Sequence, residues 1–299
     1  MTQPAHVQIV EVSPRDGLQA EQRSLATDTK LELIDRLADA GHTVIEATSF
    51  VSPTAVPQLA DADELLKRLR RRPGVRYPVL VPNQRGLERA LAAGADEIAV
   101  FVSASESYSQ KNLRRGRDEA VGTACAVAKL AVEHGARARG YISMVIADPI
   151  DGPTDPDVVI RIGRALLDAG CAELSLGDTI GTGTPADVRR LLDAHRDAGI
   201  TPDRLAVHFH DSYGQGLANV LTAIEMGVTV VDASIGGIGG SPFAKNASGN
   251  LATEDVVWML DGMGIATGLD IQKLAAIAKW MSQELGRELP GRAARALFA

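Results

Sequence analysis

Apolar and β-branched residues along this chain gather into short runs that recur at a steady interval: VQIVEVS from Val7, TVIEATSF from Thr43, YPVLVP from Tyr77, EIAVFVSA from Glu97, RGYISMVI from Arg139, ELSLGD from Glu173, LAVHFH from Leu205 and VVDASI from Val230. Each has the length and residue types of a buried strand. Between them apolar positions fall three and four apart, as at Leu33, Ile34, Leu37 and Ala40 or at Leu217, Val220, Leu221 and Ile224, which lays an apolar stripe on one helix face. A glycine precedes each strand after the first, at Gly41, Gly74, Gly94, Gly135, Gly170, Gly199 and Gly227, and predicts helix ends that turn through a left-handed conformation.

Parallel strands need long, right-handed crossovers, so eight strands separated by seven helix-then-glycine units predict an α/β fold, a (β/α)8 TIM barrel. An open doubly wound sheet is the alternative. The count of eight, with no glycine-rich dinucleotide fingerprint after the first strand, favours the barrel. The 299 residues are expected to form one domain, with the barrel over about 7–262 and a helical extension over about 263–299. A helix is predicted from Thr253, where Thr-Glu-Asp offers a cap and a negative first turn. Another follows Asp270 and carries Ile271, Leu274, Ile277, Ala278 and Met281; it either covers the barrel's side or joins a subunit contact.

Composition narrows the partners. With 31 Lys and Arg against 38 Asp and Glu, net charge −7, and 45% hydrophobic residues, the chain offers no electrostatic case for nucleic acid or an anionic membrane. The basic cluster from Arg68 to Arg72 reads as a solvated helix end before Pro73. No stretch is apolar for the roughly 18 residues of a membrane span, and the amino-terminal MTQPAHVQIVEV lacks a basic segment followed by a long apolar run, so a cytoplasmic protein is expected. The two cysteines, Cys125 and Cys171, give no disulfide framework and read as small core residues.

In a barrel of this kind the site forms at the carboxyl ends of the strands. Polar residues gather there: Arg15, Asp16 and Gln19 after strand one, Glu46 in strand two, Ser105 and Glu106 after strand four, Arg139 and Tyr141 in strand five, Asp178 ending strand six, and Ser241 and Asn250 after strand eight. In strand seven His208 and His210 lie two apart and share a face. That pair suits either a divalent cation or two core histidines satisfied by backbone. Asp16 adds a carboxylate and Asn250 an amide oxygen, a mixture that fits catalytic Mg²⁺ or Mn²⁺ better than a closed zinc site. Arg15 puts a permanent charge where an oxyanion develops, with Glu46 to orient it. Together these suit making or breaking a carbon–carbon bond through an enolate. The glycine run Gly236–Gly240 lacks P-loop spacing and reads as a mobile lid that brings Ser241 over substrate.

The motifs EVSPRDGLQ, IEATSFVSPTAVPQ, SLGDTIGTGTP, AVHFHDSYGQGLANVLTAIEMGV and GGIGGSPFAKNASGNLATEDVVWML occur in order over about Val7 to Leu285. Together they resemble the 3-hydroxy-3-methylglutaryl-CoA lyase family of metal-dependent TIM barrels. The resemblance implies cleavage of a 3-hydroxyacyl-CoA to acetyl-CoA and a keto acid, acetoacetate for the usual substrate. It implies Asp16, His208, His210 and Asn250 as metal ligands, Arg15 as stabiliser of the thioester enolate, Glu46 and Asp178 as ordering residues, and a share in proton transfer for His208. Arg15, Gln19, Arg139 and Tyr141 are expected to face the acyl-CoA thioester. A homodimer is an assembly left open.

Two departures from the family stand out. Ser241 occupies the place of a loop cysteine to which the family gives a catalytic role, and a hydroxyl is far less acidic than a thiol with pKa about 8.5. Asp148-Pro149-Ile150-Asp151-Gly152 stands where the family commonly has Cys-Pro-Tyr-Glu-Gly, so a different acyl group is an option, a citramalyl-CoA or a longer-branched 3-hydroxyglutaryl-CoA among them. The alternatives to a lyase are a related condensing or aldol enzyme that works without the cysteine, and a non-catalytic acyl-CoA-binding barrel.

Overall fold

The computed structural model describes residues 3–240 and 249–298. Ser241 therefore lies outside the described residues. Eight strands form one sheet: β1 (Gln8–Glu11), β2 (Thr48–Ser49), β3 (Val79–Leu80), β4 (Glu97–Ser103), β5 (Arg137–Ser143), β6 (Cys171–Asp178), β7 (Leu205–Phe209) and β8 (Val230–Ala233). All neighbours pair in parallel in chain order, and β8 pairs with β1. The bridge between Glu11 and Ile45 closes the circle from β1 to β2. The sheet is thus the expected barrel.

Strand two is shorter than its sequence suggests. The run TVIEATSF forms a ladder only at Thr48–Ser49, with single bridges at Val44 and Ile45. Strand five starts at Arg137 and ends at Ser143, where the predicted run extends to Ile146; Met144 turns at φ 56°, and a short antiparallel hairpin pairs Ala147–Asp148 with Gly152–Pro153.

The helices run α1 (Thr27–Asp39), α2 (Ala62–Arg68), α3 (Gln84–Ala92), α4 (Glu106–Leu113), α5 (Arg117–Glu133), α6 (Pro156–Asp168), α7 (Pro185–Asp197), α8 (Gly216–Glu225), α9 (Thr253–Gly262), α10 (Ile271–Leu285) and α11 (Arg292–Leu297). No helix among the described residues is long and apolar enough to cross a membrane. One large apolar shell joins the outward side chains of the strands to the helix stripes, Leu33, Leu37, Leu174, Leu176 and Val220 among them. Inside the barrel the apolar groups are small, Val10, Val12 and Val44 in one place and Leu80, Ala99 and Tyr141 in another. The interior is therefore left to polar side chains. Helix α10 buries Leu274, Ile277, Ala278 and Met281 against this chain's own shell, so its stripe covers the barrel.

Thr253 does not cap α9 as its sequence suggests, because its hydroxyl donates to Glu11 Oε2 at 2.7 Å. The next two residues also turn away from the helix. Glu254 Oε2 accepts from the Gly236 amide, and Asp255 accepts from the amides of Arg292 and Ala293 at the start of α11. The first turn of α9 thus joins the glycine run to the carboxyl-terminal segment. The basic cluster is absorbed by surface ion pairs, Arg68 with Glu64 and Asp28, Arg71 with Asp96, and Arg72 with Asp35 and Asp39. Cys171 is buried, which pushes its thiol up to about 12, and Cys125 is half-buried with its Sγ on Ala165 O.

Candidate metal centre and active site

The chain leaves β1 through a single π-turn, Ser13–Gly17, in which the amides of Asp16 and Gly17 both reach back to Val12 O. Such turns are common at functional sites because they re-aim side chains. Here Arg15 and Asp16 are both directed over the barrel mouth. Arg15 Nε donates to Glu46 Oε2 at 2.7 Å and its Nη1 donates to Asp16 Oδ1 at 2.7 Å. Its guanidinium also lies over the Tyr141 ring, 5.2 Å from the centroid.

Strand β7 and the residue that follows it supply the imidazoles. His208 and His210 sit on the same face with ring centroids 5.5 Å apart. One donor atom from each of Asp16, His208 and His210 lies within 4.8 Å of the others, a convergence of one oxygen and two nitrogens. His208 Nε2 stands 3.8 Å from Asp16 Oδ2. Backbone pairing between His210 and Asn250 brings the fourth expected ligand alongside. Asn250 turns its amide nitrogen to Asp16 Oδ2 at 2.8 Å and to Ile238 O at 3.1 Å, so its oxygen would need a half-turn of the amide to serve as ligand. The donor set fits a divalent cation with open positions.

Burial alone would raise the Asp16 carboxyl, but the charges of Arg15 and His208 and the Asn250 hydrogen bond bring it below the ordinary carboxylate range. It is held ionised, as a ligand must be. Burial lifts the Glu46 carboxyl while Arg15 draws it back, and the net direction is up. Burial also keeps the Tyr141 phenol neutral, well above its usual value.

Arg139 and Tyr141, expected to face substrate, lie beneath the mouth. Arg139 is 3% exposed, and its guanidinium reaches Glu173 at 2.7 Å, Asp232 at 2.6 Å and Tyr141 Oη at 2.8 Å. Tyr141 Oη donates on to Glu46 Oε2 at 3.2 Å. Asp178 takes the outward parity of Leu174 and Leu176. One carboxylate oxygen accepts from the Gly183 amide at 2.7 Å, while the other is buried without a partner among the described residues, and burial raises the group to about 6. Its visible contact orders the loop after β6. Gln19 is half-buried, with its Oε1 shielded and without a partner among the described residues.

Ser105 and Glu106 serve the chain itself: Ser105 caps α4 and donates to Asp151, and Glu106 accepts from the Arg117 amide. In the departing loop Asp151 accordingly ties to the start of α4, Asp148 caps the amides of Ile150 and Asp151, and Ile150 is exposed.

Asp232 is the functional candidate that sequence reading missed. It is 2% exposed, accepts from both terminal nitrogens of Arg139, from Ser175 Oγ at 2.7 Å and from His208 Nδ1 at 3.3 Å. Its signal was an acid in the middle of the buried run VVDASI, where a carboxylate is tolerated only with partners.

The profile of the HMGL-like family matches residues 6–281. Over 294 residues the chain is 50% identical to the mitochondrial hydroxymethylglutaryl-CoA lyase of Arabidopsis thaliana, which takes in 98% of this chain and 63% of that longer protein. The HMG-CoA lyase of Bacillus subtilis superposes with a TM-score of 0.97 at 43% identity, with all of both chains covered. An HMG-CoA lyase from Acinetobacter baumannii, solved with coenzyme A and 3-methylmalate, gives 0.94 at 35% identity over 99% of this chain and 97% of that one. With its barrel, its Asp-His-His cluster and this match over nearly its whole length, the chain belongs to the HMGL-like family of HMG-CoA lyases.

Proposed function

We propose that this protein is a metal-dependent carbon–carbon lyase that cleaves 3-hydroxy-3-methylglutaryl-CoA to acetyl-CoA and acetoacetate. The observation that carries the reading is the convergence of Asp16, His208 and His210 within 4.8 Å beside the buried, twice-paired Arg15 at the barrel mouth. Relatives across nearly the whole chain carry the lyase name, and one is a complex with coenzyme A.

In this reaction the C2–C3 bond of the acyl group breaks. The C3 hydroxyl gives up its proton and becomes the ketone of acetoacetate, and the electron pair passes to C2 as a thioester enolate that a proton quenches to acetyl-CoA. No oxidant or reductant is needed. Asp16, His208 and His210 would hold Mg²⁺ or Mn²⁺, with Asn250 after its half-turn, and the ion when bound polarises hydroxyl and carbonyl oxygens. Arg15, fixed by Glu46 and Asp16, offers a preorganised charge to the enolate oxygen. Glu46 and Tyr141 hold that guanidinium in place from below. An imidazole that gives its Nε2 pair to an ion has none left for a proton, so His208 serves as a ligand and not as base in the same step. Ser241 contributes at most a hydrogen bond where the family has a thiol.

The test is acetyl-CoA release from hydroxymethylglutaryl-CoA with Mg²⁺ or Mn²⁺, with the unmodified protein run beside Ser241→Cys. The expected result is turnover by the unmodified protein and an increase in the cysteine variant, up to about 10²-fold if the thiol relays a proton. Release of no acetyl-CoA by either form, from this or a related 3-hydroxyacyl thioester, would overturn the reading.

A further inference from the structure

We infer that Asp232 is a positioning residue: anchored by Arg139 and Ser175, it fixes the His208 imidazole as the Nδ1–H tautomer and leaves the Nε2 lone pair aimed at Asp16 and His210. The inference rests on the reading of that cluster as a metal site and adds a residue beyond the expected ligands.

Asp232 on β8 pairs directly with His208 on β7, so the two inward side chains lie side by side. On the other flank of β7, Gly177 of β6 pairs with His208, leaving that side of the imidazole without a competing side chain from the paired position. A free carboxylate beside a histidine would swing among rotamers. Asp232 has no such freedom, because its two oxygens are gripped by the two terminal nitrogens of Arg139 at 2.6 and 3.1 Å. Ser175 Oγ adds a third donor at 2.7 Å. Arg139 is in turn fixed by Glu173 at 2.7 Å and by Tyr141 Oη.

Both oxygens of Asp232 therefore act as acceptors, and a carboxylate locked against a guanidinium in this forked geometry has no proton to donate. The contact with His208 Nδ1 at 3.3 Å is a hydrogen bond only if Nδ1 carries the hydrogen. In a neutral imidazole Nε2 is then the acceptor. That atom is the one near Asp16 Oδ2, at 3.8 Å. A carboxylate behind a histidine in this way sets the ring's orientation and raises its basicity as a ligand. The alternative tautomer would set a lone pair of Nδ1 against the carboxylate and place a hydrogen between the donor atoms of the cluster.

The structure also shows why a carboxylate is retained at this depth. Arg15, Glu46, Tyr141, Arg139, Asp232, His208 and Asp16 form a closed circuit of side-chain contacts across the barrel interior. Asp232 is the member of that circuit linking the His208 imidazole to the buried arginine below it.

The test uses the full chain labelled with ¹⁵N-histidine. In the unmodified protein before metal is added, the neutral His208 ring should carry its hydrogen on Nδ1 and leave Nε2 bare; a neutral ring with its hydrogen on Nε2 would overturn the inference whatever any variant does. Asp232→Asn then keeps the size of the side chain and can present an amide N–H to Nδ1. The expected result is a switch of His208 to the Nε2–H form and a 10- to 100-fold loss of Mn²⁺ affinity, read by electron paramagnetic resonance of free Mn²⁺. Ser175→Ala removes a contact to Asp232 but not the one to His208, and should keep the tautomer and hold Mn²⁺ within about threefold. A folded Asp232→Asn protein whose tautomer is unchanged, or whose Mn²⁺ affinity stays within threefold, overturns the positioning role. Unmodified protein that shows the Nδ1–H form yet binds no Mn²⁺ would sink the metal reading and leave the tautomer assignment standing, so the two failures are distinct.

Discussion

Glu254 is a buried acid with no cation beside it among the described residues. Burial pushes its carboxyl up to about 8, and the neighbouring acids Asp255 and Glu11 push the same way. Its Oε2 accepts from the Gly236 amide while Oε1 has no partner among the described residues. In the unfolded chain this carboxyl ionises near its usual 4.5, whereas the folded protein keeps it protonated to about 8. Between those values the unfolded state gains stability from ionising and the native state does not, so stability falls as pH rises through that window. The cost is roughly 3–5 kcal/mol once complete. Glu254→Gln keeps the acceptor and removes the titration, so it should match the parent near pH 4.5 and exceed it by a few kcal/mol at pH 8.5 in urea unfolding. Equal stability at both pH values would show that Glu254 does not carry this term. At the same scale, Arg15→Lys keeps the charge but loses the fork that meets Glu46 and Asp16 together. It should lower kcat by about 10²–10³ with a smaller change in KM, measured by acetyl-CoA release. The residues legible in the sequence were those placed by motif spacing or strand parity, such as Asp16, His208 and His210. Asp232 was hidden because its partners, Arg139, Ser175 and His208, come from three other strands and meet only when the barrel closes.

At the scale of elements, the strand rhythm was legible because each helix-to-strand junction needs a residue that tolerates positive φ, and all seven marked glycines take one, from 79° at Gly74 to 106° at Gly41. Strand limits were less legible where closure of the barrel leaves single bridges, as at Val44 and Ile45. The first turn of α9 misled because Thr253, Glu254 and Asp255 look like a cap and instead hold other segments. The glycine run before the site shows what such tertiary demands look like. An ideal Cβ on Gly239 would lie 2.3 Å from Asn250 Nδ2, at φ 119°. A Cβ on Gly74, at φ 79°, would meet nothing within 4 Å. Gly239→Ala should therefore displace Asn250 from Asp16 and weaken Mn²⁺ binding at least tenfold. Gly74→Ala should cost about 1 kcal/mol in stability and leave Mn²⁺ binding unchanged. Calorimetric titration with Mn²⁺ beside thermal unfolding of both variants separates the two effects, and equal Mn²⁺ affinities would remove Asn250 from the ligand set.

Over the whole molecule, the barrel's interior is stitched by charge where many barrels rely on apolar layers. The contacts from Arg15 through Glu46, Tyr141, Arg139, Asp232 and His208 to Asp16 join the segment leading into β2, strands β5, β7 and β8, and the turn after β1. An ion held by Asp16, His208 and His210 would tie the turn after β1 to β7, segments that are far apart in sequence. A ligand that binds only the folded chain stabilises it by RT ln(1 + [L]/Kd), about 2.7 kcal/mol at a hundredfold excess over Kd. For a chain of this size that amounts to a rise of several degrees in Tm. We therefore expect Mn²⁺ at saturation to raise the unfolding midpoint by about 5 °C and a chelator to reverse it, at fixed scan rate and protein concentration. Asp16→Asn, which removes the only carboxylate of the cluster among the described residues, should erase that increment while keeping the apo protein folded. A midpoint in the unmodified protein that ignores saturating Mn²⁺ would mean that the cluster does not bridge these segments through a metal, and that the circuit of charges holds the barrel without one.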